Sequence, residues 1–162
     1  MADKTSFTPD EWKVLLESVM MAGVAVTAAD PNGLWGALKE SFASAKTMLS
    51  GKTGSSPLIQ ALVADLSTSE GRGIAREGLR GQLKDVKPAE IKGKAIDTLR
   101  QAAGILQAKG SDDTASVKAW LSQISRDFAE ASSEGGFLGF GGVKVSEAEK
   151  ATLGEIDAAL SL

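Results

Sequence analysis

TPDEWKVLLESVMMAGVAVTAA, residues 8–29, decides the fold. Thr8-Pro9-Asp10-Glu11 forms a capping box with proline at the first helical position, and Phe7 stands at hydrophobic-staple distance from Trp12. From there Trp12, Leu15, Leu16, Val19 and Met20 follow helical spacing. The stripe then widens into a wholly apolar run from Val19 to Ala29, bounded by Glu17 and Asp30. Eleven residues are well short of the ~20 needed to cross a bilayer. The stretch therefore reads as a helix buried on all sides.

Outward from this helix, the same signals repeat. Asp30-Pro31 caps a second helix striped by Leu34, Leu38, Phe42, Ala45 and Leu49, and the Gly/Ser-rich break SGKTGSS follows at residues 50–56. Ser56-Pro57 opens a third, with Leu58, Leu62, Val63 and Leu66; Ser67 and Glu70 then match a further capping box. In GRGIAREGLRGQLKDV, residues 71–86, Ala75, Leu79, Leu83 and Val86 share one face, but four glycines give the helix low intrinsic stability. Lys87-Pro88 starts a longer helix bearing Ile91, Ala95, Leu99, Ala102 and Leu106, which Gly110 stops in the position that favours a left-handed cap. Ser111 to Thr114 begins another, with Val117, Trp120, Leu121, Ile124 and Phe128, running to about Ser133. Ser146-Glu147-Ala148-Glu149 is a capping box for the last, with Leu153, Ile156 and Leu160 inward. No period-two run of β-branched residues occurs beyond the scrap Val143-Lys144-Val145. The expectation is an all-α fold: residues 1–162 as one domain, a single compact bundle of about seven helices.

Composition narrows function by exclusion. A chain of 162 residues buries roughly 70% of its unfolded surface and needs no metal or disulfide to fold. With no cysteine, histidine or tyrosine, thiolate chemistry and the commonest neutral-pH base are absent, leaving carboxylates, Lys, Arg, Ser and Thr. We therefore expect a non-enzymatic protein without a cofactor. The segment MADKTSFTPDEW lacks the apolar run of a secretion leader, so the expected location is cytoplasmic.

Two glycine-rich stretches fail as nucleotide sites. SGKTGSS has the Gly-Lys-Thr of a P-loop, but Lys46 stands where the first glycine belongs, and the preceding sequence is helical. In EGGFLGFGGVKVSEAEK, residues 134–150, Gly139 and Gly141 begin a dinucleotide fingerprint, but Lys144 takes the third position. Glu147 and Glu149 also occupy the positive end of the helix that follows. Apolar side chains in such a loop either pack beneath the bundle or mark an interface, which makes Phe137, Leu138 and Phe140 candidates for contact with a protein partner or a second copy.

Charge is segregated along the chain. Across residues 71–109 nine Lys/Arg stand against four Asp/Glu, leaving +5, whereas the remainder carries nine against seventeen, or −8. Arg72, Arg76, Arg80 and Lys84 recur every fourth residue and form one basic ridge on a helix. Such a ridge is either a solvated face paired with acidic helices of the same molecule or a patch for phosphate, an acidic partner or an anionic lipid surface. The second alternative leaves peripheral membrane contact open. No aromatic residue lies in this segment to stack on single-stranded nucleic acid, and no nucleic-acid partner is expected.

Carboxylates supply the remaining candidates. Asp30-Pro31-Asn32-Gly33 brings two oxygen side chains to a turn with Glu40 a few turns on, so Asp30, Asn32 and Glu40 form one candidate site for a divalent cation. Glu134 and Glu149, flanking the Gly/Phe loop, form another. The two hairpins containing these acids echo one another: Gly33-Leu34-Trp35-Gly36 and Gly136-Phe137-Leu138-Gly139 each follow an acid, and a glutamate follows on the next helix. The echo suggests duplicated hairpins related by a pseudo-twofold.

Residues 115–162 resemble the bacterial tellurite-resistance TerB-like helical domains through Glu134-Gly135, Val145-Ser146, Glu149, Leu153 and Ile156. The chain departs from that pattern in having Glu134 where the family usually has aspartate, and in its longer Gly/Phe loop. The resemblance implies an all-helical cytoplasmic bacterial domain with acidic cation-binding loops. The leading expectation is an interaction or adaptor protein docking through the Gly/Phe loop. The alternatives are a calcium- or magnesium-binding, stress-related helical protein and a protein that binds anions or acidic lipid through the basic ridge.

Overall fold

The computed structural model describes residues 3–28, 56–134 and 145–162. Among them the chain is all-α. A 3-10 turn at Lys4–Ser6 leads into α1 (Pro9–Thr27), followed by α2 (Pro57–Ser67), α3 (Ser69–Leu83), α4 (Pro88–Lys109), α5 (Thr114–Glu134) and α6 (Glu147–Leu160). These are six α-helices; the further one expected from the stripe Leu34 to Leu49 lies outside the described residues, as do both Gly-aromatic tetrapeptides. No helix among the described residues is long and apolar enough to cross a membrane.

α1 is the hub, packing against each of the other five helices. Its cap forms as the sequence requires: the Thr8 hydroxyl accepts from the Glu11 N–H at 3.2 Å, and the Glu11 carboxylate accepts from the Thr8 N–H at 2.8 Å. The Phe7 and Trp12 rings meet at 5.8 Å between centroids. Val19 and Met21 to Val26 are buried, so the apolar run is enclosed over that stretch, whereas Met20, Thr27 and Ala28 are half-buried and Ala29 lies outside the described residues. Around it lie Ile91, Ala95, Leu99, Ala102 and Leu106 from α4 and Val117, Trp120, Leu121, Ile124 and Phe128 from α5. Leu153, Ile156 and Leu160 of α6 are buried in the same core. Cross-links of polar atoms fix the registers: the Ser125 hydroxyl donates to the Ala22 carbonyl at 2.9 Å, and Lys92 pairs with Glu155 at 3.2 Å. Gly110 ends α4 with φ 59°, the left-handed cap expected there.

The start of α3 is a correction. The cap is Thr68, whose hydroxyl accepts from the Gly71 N–H at 2.9 Å, and not Ser67 paired with Glu70. Ser67 completes α2, its hydroxyl donating to the Val63 carbonyl at 2.8 Å. Only Thr68 separates the two helices, so the chain turns at one residue, and a Cβ at Gly71 would collide with the Asp65 carbonyl.

Candidate functional site

α3 combines a thin apolar face with a charged outer one. Inward lie Gly71, Ala75 and Gly78, with Ile74, Leu79 and Leu83 half-buried. Outward, Arg72, Arg76, Arg80 and Lys84 are all exposed. At ~1.5 Å per residue the ridge extends about 18 Å. Arg72 donates to the Ser67 carbonyl at 2.9 Å. No carboxylate among the described residues pairs with any of the four, although basic groups elsewhere in the same segment are paired: Lys92 with Glu155, Arg100 with Asp97, and Lys109 with Glu11. The ridge is thus an open cationic row. Its later members also sit near the negative end of the α3 dipole, which favours them there without neutralising their charge.

On the other flank of α3 a cleft of about 340 Å³ opens against α1, lined by Asp10, Lys13, Val14, Glu17, Glu77, Gly78, Gly81 and Gln82. Its floor holds Glu17, 2% exposed. One carboxylate oxygen accepts from the Gln82 side-chain amide, and the other lies 3.8 Å from the Lys13 ammonium. The Gln82 carbonyl in turn accepts from the Thr98 hydroxyl of α4 at 2.8 Å. Burial pushes the Glu17 carboxyl above the ordinary glutamate range, against the pull of Lys13 and the Gln82 hydrogen bond. α3 reaches this carboxylate because Gly78 has no side chain; a Cβ there would overlap it.

A second acid behaves oppositely. Asp65, at the end of α2, accepts from the Trp12 indole at 2.7 Å and the Lys4 ammonium at 2.9 Å. Burial alone would raise its carboxyl, but the two hydrogen bonds and the charge of Lys4 together outweigh burial and hold it below the usual range.

Of the candidate residues read from the sequence, the structure shows the exposure and pairing of the α3 ridge and of Glu149. Asp30, Asn32, Glu40, Phe137, Leu138 and Phe140 lie outside the described residues. Glu134 is the last residue of α5. Glu149 is buried, its carboxylate accepting from the Ser146 N–H at 2.9 Å in the capping box of α6. No group of three or more acidic side chains converges as a metal site among the described residues. What sequence reasoning missed is Glu17 with Gln82. The available signal was a pair of glycines, Gly71 and Gly78, two turns apart on one face of a helix, which marks close approach of a neighbour.

Among the described residues, fold and site define an all-α protein with an open basic helix. The chain matches no protein-family model, and no characterised protein or solved structure is significantly similar to it.

Proposed function

We propose that this chain is a non-enzymatic interaction protein that docks through α3 onto an acidic segment of a partner protein. One observation carries this reading: four exposed cationic side chains in line, none paired with a carboxylate among the described residues, while Lys92, Arg100 and Lys109 further along the same basic segment are paired. Three of the four are arginines, whose planar forks suit carboxylates. Their ~6 Å repeat matches acids spaced every fourth residue on a helix. Half-buried Leu79 and Leu83 adjoin the ridge and offer apolar contact beside the charges. Among the described residues the one large hydrophobic side chain that is exposed is Leu162, which belongs to the C-terminus and not to α3.

The test is fluorescence anisotropy with a helical peptide bearing glutamate at every fourth position, beside vesicles rich in anionic lipid, over a salt series. The expected result is peptide binding that weakens with salt, and weakens at least about fivefold in Arg76→Glu/Arg80→Glu. Arg100→Glu, at a residue already paired with Asp97, leaves binding unchanged. Binding to vesicles alone would replace this reading with a lipid-surface one, and binding to neither would remove it.

A further inference from the structure

α3 is lightly held. Its fully buried positions are two glycines and one alanine, and its larger apolar side chains are half-covered. Where a hydrophobic residue would ordinarily meet it, α1 presents Glu17. A carboxylate at this depth requires full compensation for lost water, whereas the neutral acid requires little. The compensation present is one amide donor from Gln82 and the Lys13 ammonium at 3.8 Å on a half-exposed side chain. The other acidic groups lining the cleft, Asp10 of α1 and Glu77 of α3, supply no hydrogen-bond donor or positive charge to a third carboxylate. α4 contributes no charge there, only the Thr98 hydroxyl acting through Gln82.

We propose that Glu17 is a proton-operated latch: in its neutral form it lets α3 seat on α1, and on ionisation it loosens α3 while the remaining helices keep their packing. Gly78 closes α3 directly over the carboxyl, so the charged form gains water only by opening the seam or swinging into the adjoining cleft. The cleft gives the proton its route to solvent. The sign follows from linkage. The seated state holds a proton that the unseated state releases at lower pH, so seating is strongest below the ordinary glutamate range and is lost as pH rises through the titration of buried Glu17. This latch stands whether or not the α3 ridge binds a partner.

The test is amide hydrogen exchange by NMR over about pH 4 to 8, corrected for intrinsic rates, on the wild type and Glu17→Gln. Glutamine is nearly isosteric, remains neutral and keeps a carbonyl for the Gln82 amide. In the wild type, protection of α3 amides is expected to fall by up to about tenfold per pH unit between the ordinary glutamate range and Glu17's own titration point, then level off. Protection of α4 stays constant. In Glu17→Gln, α3 protection is high and independent of pH, whereas Glu77→Gln keeps the wild-type profile. Flat wild-type protection, or an equal fall in Glu17→Gln, overturns the latch. If the variant does not fold, carbon-detected titration of the wild type decides: α3 amide shifts must follow the Glu17 carboxyl curve, and a carboxyl titrating in the ordinary range overturns it.

Discussion

At the scale of single residues, the glycines of α3 separate by what lies opposite them. Gly71 faces the Asp65 carbonyl, part of the backbone at a one-residue turn, which has nowhere to move. Gly78 faces the end of a side chain, and at Gly81 a Cβ would meet nothing within 4 Å. Gly71→Ala is therefore expected to destabilise by about 2 kcal/mol or more through overpacking. Gly78→Ala costs less, because Glu17 can turn into the cleft, and it costs least when combined with Glu17→Ala. Gly81→Ala stabilises by roughly 0.5–1 kcal/mol through helix propensity. Chemical denaturation of the four variants checks the order. Asp65 gives a second prediction of opposite sign to Glu17. Its carboxyl is held low by Trp12 and Lys4 against the effect of burial, so its contribution is present above the ordinary aspartate range and is lost as pH falls through its depressed titration. Asp65→Asn should cost about 1–2 kcal/mol at neutral pH and flatten the acid limb of a melting-temperature profile.

At the scale of elements, helices were legible where their signals are local. The Thr8 and Ser146 capping boxes, Gly110 with its left-handed backbone and the stripes of α4, α5 and α6 all stand where periodicity and cap chemistry put them. The α2–α3 turn was misread because Ser67 and Thr68 are adjacent hydroxyls, either of which satisfies cap chemistry. The choice fell to Thr68 because the last turn of α2 takes Ser67, leaving Thr68 extended at φ −82° and ψ 156°. Regularity of the basic ridge was visible in its spacing, but whether it was paired depended on which helices came near it. Glu17 was hidden for the same reason, since a charge beside an apolar run reads as a boundary until Gly78 brings another helix over it. Elsewhere, Gly93 and Gly104 in α4 and Gly154 in α6 also face open space. Alanine at each is expected to add up to about 1 kcal/mol of stability, measured by thermal melting, with no change in peptide binding at the α3 ridge.

For the whole molecule, the position of α1 sets how damage spreads. Leu16 is fully buried on the helix that packs against each of the other described α-helices, whereas Leu79 is half-buried on α3. Truncating a fully enclosed leucine removes its transfer free energy and leaves a cavity, so Leu16→Ala should cost roughly 2–5 kcal/mol. Because α2, α4, α5 and α6 all pack on α1, protection from hydrogen exchange should fall in these five helices together, while α3, which the latch lets open by itself, exchanges through its own local opening. Leu79→Ala, with less apolar area to lose, should fall well below that cost and lower protection in α3 alone. The distinction has a functional consequence. A helix that can loosen without unfolding its neighbours is free to adjust its basic face to an acidic partner, whereas a helix locked into one cooperative unit is not. Exchange measured in parallel on the two variants separates these cases: a loss of protection throughout the chain in Leu79→Ala would place α3 inside the same cooperative unit as α1.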